Sequence, residues 1–435
     1  NTMKNILNKA DEFSRRRFVT QAAKAFLGVS ILPWAMPKQA TAAGLGLNRP
    51  LNHAPKARNV IYLYMSGGMT HIDTFDPKPG TETGGPTTAI KTNADGLQLA
   101  ENLPLLANHA DKIAVVRGMT STKGAHQQGN YFMHTSYAPR STIRHPSMGA
   151  WMTRLDERSN PTLPGAVVVS GGSQHPLAGF LPSSHQPLAI GKPDEGLRNS
   201  RMHPGVTEEE FKKRLSLADQ FDKGFREKYN LKKVRAYSDM YADAVRLMKS
   251  GDLEAFDIDK ESEETREAYG EETFGQGVLL ARRLVERHVR FVEVQLGGWD
   301  THQLNFDRAP ERCAILDQAL AALLGDLDKR GMLDETLVVL ATEFGRTPNI
   351  NVNQGRDHYP KAFSSMLAGG GIRGGQVWGK TDPEGREVVD QRVEIPDFNA
   401  TIAYALGLPL DEIVYSPTRR PFTLADKGQP LTQLL

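Results

Sequence analysis

Six short apolar runs recur along the chain, and most of them end in glycine or in polar residues. Each run is only four to seven residues long and rich in β-branched side chains, as buried strands are. They occupy residues 59–65, 112–116, 166–169, 290–296, 336–341 and 363–368. Apolar residues at helical spacing lie between them, at residues 145–155, 273–288 and 312–330. This alternation predicts an α/β fold, a mostly parallel sheet with helices on both faces.

One stretch breaks the alternation. Residues 207–272 are charged, poor in glycine and helix-prone, so we interpret them as a helical insertion or cap. The predicted organisation is therefore a first part of the α/β core at residues 44–206, the insertion, and a second part of the core at residues 273–435. We expect the second part to hold most of the candidate metal ligands.

Residues 1–43 have the pattern of an export signal. Arg15, Arg16 and Arg17 precede Phe18, a moderately apolar run follows at residues 22–36, and the small residues 40–42 resemble a cleavage site. Paired arginines before a hydrophobic residue favour the twin-arginine type of signal. We therefore expect the twin-arginine translocase to be a partner during export, and the protein to be periplasmic or secreted.

Composition limits the other partners and cross-links. Lys and Arg total 53 against 51 Asp and Glu, a net charge of +2, which argues against nucleic-acid binding. Cys313 is the sole cysteine, so no intrachain disulfide can form.

Candidate chemistry follows the predicted strands. In open α/β sheets, ligands bind beyond the carboxyl ends of the strands. His71 and Asp73 follow the first run, Asp300 and His302 follow the fourth, and Glu343 and Arg346 follow the fifth. Asp357 and His358 precede the sixth run. Mixed imidazole and carboxylate ligation predicts a divalent metal site for zinc, manganese or iron, rather than magnesium or calcium.

Each of these groups also has an ordinary structural interpretation. Asp300 and His302 could be a turn carboxylate and a surface histidine, and Asp357–His358 a hydrogen-bonded loop. A buried Glu343 needs a cation or donors, and Arg346 could be that cation. The histidines at 53, 109, 175, 185, 203 and 288 show no pattern of partners and are interpreted as surface or packing residues.

Five segments resemble an exported bacterial protein family, the DUF1501 family, which is grouped with the alkaline phosphatase/sulfatase-like superfamily. They are SGGMTHIDTFDPKP, LGGWDTHQLNF, ATEFGRTPNI, GRDHYP and LAGGGIRGGQVWG. The resemblance implies an alkaline phosphatase-like fold and a metal-dependent hydrolase of phosphate or sulfate esters, acting on an anionic small molecule or glycan. It implies one or two ions, zinc or manganese fitting best.

The resemblance also assigns residues to two sites. Asp300, His302 and His358 match the first metal site. Phe344 stands where the superfamily has a histidine, so the second site would need His71, Asp73 and Glu343.

The segment that should carry the nucleophile, TSTKGAHQQGNYFMHTSYAP, offers His126 nearest the expected position, with Thr120, Ser121 and Thr122 close by. His126 could be a further ligand, a general acid or the nucleophile. His126 or His71 would move protons, and Arg346 or Arg356 would pair with developing negative charge. Arg117 and Lys123 would help to hold an anionic substrate.

Cys313 lacks a sulfatase-type context. The alternatives to a hydrolase are a metal-dependent mutase or transferase, and a degenerate relative that serves as a binding or assembly component of the cell envelope, with an envelope protein as partner.

Overall fold

The computed structural model describes residues 54–156, 159–172, 174–197, 200, 205–228 and 243–435. Within them the larger of two compact units comprises residues 54–194 and Ala255–Leu435, and the smaller one lies within Glu195–Glu254. The predicted signal at residues 1–43 lies outside the described residues, as do residues 229–242 of the predicted insertion.

The described strands are numbered in chain order. They are β1 Asn59–Met65, β2 Ala89–Lys91, β3 Gln98–Ala100, β4 Ile113–Thr120, β5 Ala166–Val169, β6 Leu188–Ile190, β7 Phe291–Leu296, β8 Thr336–Ala341, β9 Gly345–Arg346, β10 His358–Tyr359, β11 Phe363–Ala368, β12 Gln376–Trp378, β13 Lys380–Thr381, β14 Val388–Asp390, β15 Val393–Glu394, β16 Val414–Tyr415 and β17 Pro421–Phe422.

The α-helices are α1 His126–Thr135, α2 Met148–Leu155, α3 Glu208–Lys228, α4 Glu263–Tyr269, α5 Thr273–Glu286, α6 Asn305–Lys329 and α7 Ile395–Ala405. Residues 243–248 are also helical. Short 3-10 helices lie at Leu106–Lys112, Ser183–His185, Gly251–Phe256, Ile258–Lys260, Leu333–Glu335 and Thr432–Leu434. Helix α3 belongs to the smaller unit, and the other six α-helices belong to the larger one.

The main sheet has nine strands in the order β12-β4-β11-β8-β1-β7-β5-β6, with β15 paired beside β4. Its central strands β8, β1, β7 and β5 are parallel. Strand β11 is the exception, because it runs antiparallel to both β4 and β8. The start of β11 therefore lies at the same edge of the sheet as the carboxyl ends of β1, β4, β7 and β8.

Helices cover both faces of the sheet. On one face α2 packs so closely that a Cβ on Gly149 would lie 2.9 Å from the Phe291 ring. On the other face α5 packs as closely, since a Cβ on Gly277 would lie 2.9 Å from Val294. Phe291 and Val294 point to opposite faces because side chains alternate along a strand. The strands are buried on both sides, which explains their nearly continuous apolar sequences.

Glycines let the loops approach each other at the carboxyl edge. Gly67, just after β1, has a φ of 116°, and a Cβ there would lie 2.7 Å from the backbone nitrogen of Asp300. Gly129 in α1 lets that helix pack onto the chain after β8, because a Cβ would lie 3.1 Å from Glu343 Cβ. Both glycines permit contacts that a larger residue would block.

The predicted fold class is confirmed. All six apolar runs form strands of the main sheet, the second and the fourth each beginning one residue later than predicted, at Ile113 and Phe291. The sheet is mostly parallel, and helices lie on both of its faces. Among the described residues, no helix combines the length and apolarity needed to cross a membrane.

Candidate metal centre

Four side chains from four separate segments converge at the carboxyl edge of the sheet. His126 is the first residue of α1, which follows β4; Asp300 and His302 follow β7; His358 lies in β10, just before β11. We call these four residues the histidine cluster. Its members are up to 232 positions apart in the chain, so the sheet rather than local sequence brings them together.

One carboxylate oxygen lies at the middle of the histidine cluster. Asp300 Oδ1 is 3.2 Å from His126 Nε2, 3.2 Å from His302 Nε2 and 3.4 Å from His358 Nε2. The Nε2 atoms of His302 and His358 are 3.1 Å apart. All three rings therefore present the same nitrogen to a common point.

The other nitrogen of each ring is already occupied. His126 Nδ1 lies 2.8 Å from Glu343 Oε1, His302 Nδ1 lies 2.7 Å from Asp357 Oδ1, and His358 Nδ1 lies 2.8 Å from the Gly124 carbonyl. Carboxylate and carbonyl oxygens only accept hydrogen bonds, so each Nδ1 carries the proton. A neutral ring then has its lone pair on Nε2, which is the form that binds a metal ion.

The residues fit a metal ion of the zinc type. Ligands at the usual zinc distances of about 2.0–2.1 Å lie about 3.3 Å apart in a tetrahedron, close to the spacings around Asp300. His126 Nε2 is shielded from solvent and makes no hydrogen bond, although Asp300 Oδ1 lies 3.2 Å away. The ligand atoms of His126, Asp300 and His358 all lie within 4.8 Å of one another. A cation among these atoms would satisfy the unpaired Nε2 of His126.

Glu343 holds His126 and is itself held firmly. Its side chain is 1% exposed. Glu343 Oε1 accepts the Gly67 N–H at 2.9 Å, and Oε2 accepts the hydroxyl of Tyr64 at 3.0 Å and that of Thr342 at 3.3 Å. The sequence predicted Glu343 as a metal ligand, but these bonds place it behind His126, where it orients the ring.

Arg346 provides a fixed positive charge beside Asp300. Its guanidinium is fully buried, donates to Asp300 Oδ1 at 2.5 Å, and also donates to the carbonyls of Gly67, Gly68 and Arg356. Strand β9 carries Arg346 and pairs with β10, which places it directly opposite His358. Arg346 is therefore fixed in position at the edge of the histidine cluster.

The electrostatics of the cluster follow from these contacts. Burial alone would raise the pKa of Asp300, but the Arg346 guanidinium and the histidines lower that pKa to about 2. The hydrogen bond to Glu343 is the main cause that raises the pKa of His126 above its ordinary value. Burial lowers the pKa of His358.

The histidine cluster is accessible from solvent. Its side chains range from 26% exposed for His358 to 48% exposed for Asp300, whereas Glu343 and Arg346 behind them are buried. A buried layer thus supports a solvent-accessible layer of potential ligands.

Two predicted members do not join the cluster, and their placement corrects the proposed second metal site. Asp73 is buried and paired with Arg356, and its oxygens also accept bonds from Thr70, Thr87 and Asn305. His71 is fully buried, its Nε2 bonds to the Gly385 carbonyl, and burial lowers its pKa. Both side chains are shielded from solvent, and none of the hydrogen bonds described for them joins either one to the histidine cluster.

Four of the other predicted groups, Arg117, Arg356, Thr120 and Ser121, bond to partners outside the histidine cluster. Arg117 donates to the carbonyls of Phe75 and Gln98, and it lines a cavity of about 280 Å³ to which no residue of the histidine cluster contributes. The Arg356 guanidinium donates to Asp73 instead of facing the space that a substrate would occupy. The Thr120 hydroxyl donates to the Val393 carbonyl, and the Ser121 hydroxyl accepts the Lys123 N–H. Among the hydrogen bonds of the described residues, none joins these two hydroxyls to the histidine cluster.

A second group of titratable side chains was not predicted from the sequence. His134 of α1, His175 and Glu293 of β7 lie together, and all three are buried. We call them the Glu293 cluster. His175 had been interpreted as a packing or surface residue. The available signal was Glu293 itself, a carboxylate in the middle of the apolar run RFVEVQL, since such a group needs partners when buried.

The fold and the site together define an α/β protein with a candidate metal centre at the carboxyl edge of a mostly parallel sheet. Residues 57–435 match the family described as "Protein of unknown function (DUF1501)". The chain belongs to this family, as the five sequence segments predicted.

Other comparisons give more distant similarities. No curated protein matches the chain. Among solved structures, the PsFucS1 sulfatase from Pseudoalteromonas sp. is 13% identical with a TM-score of 0.38, covering 87% of this chain and 74% of that one. The phosphonate monoester hydrolase SpPMH from Silicibacter pomeroyi is 11% identical with a TM-score of 0.34, covering 87% and 76%. The alkaline phosphatase from the Antarctic bacterium TAB5 is 12% identical with a TM-score of 0.32, covering 76% and 96%. Similarity at this level carries no conclusion about activity.

The placement of Asp73 generates a prediction about stability. Asp73→Asn leaves the buried Arg356 guanidinium without its carboxylate, so we expect the free energy of unfolding to fall by about 3–5 kcal/mol. Urea denaturation measures this loss, and metal content should not change. A variant of unchanged stability that loses bound metal would instead make Asp73 a ligand.

Proposed function

We propose that the chain is a metal-dependent hydrolase that cleaves a phosphate or sulfate ester of an anionic small molecule or glycan. The observation that carries the proposal is the convergence of three Nε2 lone pairs on Asp300 Oδ1, with each Nδ1 proton held by a separate acceptor. Such hydrogen-bonded rings are how proteins prepare histidines for metal ions.

We assign the ion to His126, Asp300 and His358. Catalytic zinc sites commonly use three protein ligands and leave a further position open. His126 is chosen because its Nε2 is buried without a hydrogen bond, whereas His302 is more exposed. A zinc or manganese ion bound there would polarise the ester and lower the pKa of a water molecule.

The remaining residues have roles that their contacts suggest. His302, whose side chain is 44% exposed and whose Nδ1 proton is held by Asp357 2.7 Å away, would transfer a proton between its Nε2 and the substrate. Arg346 holds Asp300 in place and adds positive charge where an ester becomes more negative. His126 is the first residue of α1, and the N-terminus of a helix favours a nearby anion.

The ligand assignment is tested by comparing two histidine variants. His358→Ala should lose bound metal and all turnover, because a ligand is gone. His302→Ala should keep the metal while turnover falls roughly 100-fold or more, as expected when a proton-transfer group is removed. Metal content is measured by mass spectrometry after dialysis. Turnover is measured with aryl phosphate and aryl sulfate esters as substrates.

Two results would contradict this proposal. Wild-type protein that retains no divalent metal after reconstitution would remove its basis. Wild-type protein that binds metal and cleaves no ester would favour the alternative, a binding or assembly component of the cell envelope. The presence of Phe344 in place of a histidine favours that alternative.

Metal affinity should also depend on pH in a defined direction. The ion requires His126 to be unprotonated, and the Glu343 hydrogen bond raises the pKa of His126. Affinity should therefore be full above that raised pKa and fall by about tenfold per pH unit below it. Isothermal titration with zinc measures the curve. Glu343→Gln removes the cause, so its midpoint should move to lower pH; an unchanged midpoint would contradict the role given to Glu343.

We also propose that the protein acts in the periplasm or outside the cell, after export by the twin-arginine pathway. The support is the sequence Arg15-Arg16-Arg17-Phe18 and the segment that follows it. Replacing the three arginines by lysines keeps the charge, and it should abolish recovery of the protein from the periplasmic fraction of a bacterial host. Equal periplasmic amounts of the variant and the wild type would contradict this route.

A further inference from the structure

The Glu293 cluster is a buried group of titratable side chains outside the proposed metal site. Glu293 lies in the middle of β7, and its side chain is 2% exposed. Its Oε1 lies 3.0 Å from His134 Nε2, and its Oε2 lies 3.1 Å from His175 Nε2. Three ligand-type atoms within 4.8 Å could in principle hold a metal ion, so the first question is whether they do.

Hydrogen bonds to the other ring nitrogens decide this question. His175 Nδ1 accepts the Leu177 N–H at 3.0 Å, so this nitrogen carries no proton. A neutral ring must then carry its proton on Nε2, where it donates to Glu293 and leaves no lone pair for an ion. His175 therefore cannot be a metal ligand without becoming an imidazolate anion.

His134 has the opposite arrangement. Its Nδ1 lies 2.8 Å from the Asn130 carbonyl, which only accepts hydrogen bonds, and its Nε2 faces the Glu293 carboxylate. Both nitrogens must donate, so the ring is an imidazolium. The Glu293 carboxylate outweighs burial and raises the pKa of His134, while burial lowers the pKa of His175. The cluster is one buried ion pair with a neutral histidine on its other side.

This ion pair shares helix α1 with the proposed metal site. His126 is the first residue of α1 and bonds to Glu343, whereas His134 is the ninth and bonds to Glu293. The two carboxylates belong to the chain segments of β8 and β7, which flank β1 in the sheet. The helix is thus fixed near each end by a histidine bonded to a buried glutamate.

Tyr64 of β1 joins the two attachments. Its ring lies 4.4 Å from the His134 ring, centroid to centroid, and its hydroxyl donates to Glu343 Oε2 at 3.0 Å. Glu343 in turn holds His126. A shift of His134 would therefore move α1 directly, and it would also move the tyrosine that holds the partner of His126.

We infer that Glu293 and His134 form a metal-free positioning pair that fixes α1 so that His126 Nε2 points at Asp300. The inference rests on the proposed metal site. Partners of this kind, one step removed from the ligands, commonly change metal affinity by about 10–100-fold.

The test compares two buried carboxylates. Glu293→Gln keeps the shape but removes the charge that the His134 imidazolium requires. Asp317→Asn is the matched control, since Asp317 is 3% exposed and accepts the Leu105 and Leu106 N–H groups without bonding to α1. We expect zinc affinity to fall about tenfold or more in Glu293→Gln and to stay unchanged in Asp317→Asn, with one ion per chain at saturation in both.

A second measurement needs no metal. In metal-free protein with ¹⁵N-labelled histidine, the ring nitrogens of His134 should both be protonated at pH 7, and those of His175 only at Nε2. The His126 ring signals should shift in Glu293→Gln and not in Asp317→Asn.

The outcomes separate the two proposals. A wild-type protein that binds no zinc contradicts the proposed function alone, because the NMR signals still test the positioning pair. Three results would each overturn the inference. The first is a singly protonated His134, and the second is a second bound ion that is lost in Glu293→Gln. The third is a Glu293→Gln variant whose zinc affinity and His126 signals equal those of Asp317→Asn.

Discussion

The candidate site depends on one constraint, the control of imidazole protons by acceptors behind the rings. Glu343, Asp357 and the Gly124 carbonyl each hold an Nδ1 proton, so the Nε2 lone pairs turn toward Asp300. Three nitrogen lone pairs and a carboxylate that face one another repel in the absence of a cation or a proton. The arrangement is stable when a positive charge lies among them, and Arg346 already provides part of that charge from one side.

The sheet makes this arrangement possible. The loops that follow the parallel strands β1, β7 and β8 lie at one edge of the sheet. Strand β11 begins at the same edge because it runs antiparallel to β8. A chain of local contacts could not place His126 next to His358, which is 232 residues away. Glycines at positions 67 and 129 then allow the loops and α1 to approach within van der Waals distance.

The sequence predicted the strands well because they are buried on both faces and therefore apolar throughout. It also predicted that Asp300, His302, Glu343, Asp357 and His358 follow or precede such strands, and the structure places all five at one edge. It could not distinguish ligands from their supports. Glu343 and Asp357 have the residue types of ligands, yet each lies behind a histidine ring.

The same limit explains why the partners of Asp73 and of Glu293 could not be predicted from the sequence. Asp73 and Arg356 are 283 positions apart, so no local pattern reveals that they neutralise each other. His134 and His175 are likewise separated from Glu293 by more than 100 residues. A carboxylate in the middle of a buried strand shows only that some partner exists. Its identity is a property of the folded sheet.

The most direct measurement is anomalous diffraction from crystals grown with zinc or with manganese, collected at the absorption edge of the added metal. The proposed site predicts one strong anomalous peak per chain, within about 2.0–2.2 Å of His126 Nε2, His358 Nε2 and Asp300 Oδ1, and none beside Glu293. An empty histidine cluster with Asp300 held by Arg346 alone, or a peak at Glu293 instead, would contradict it.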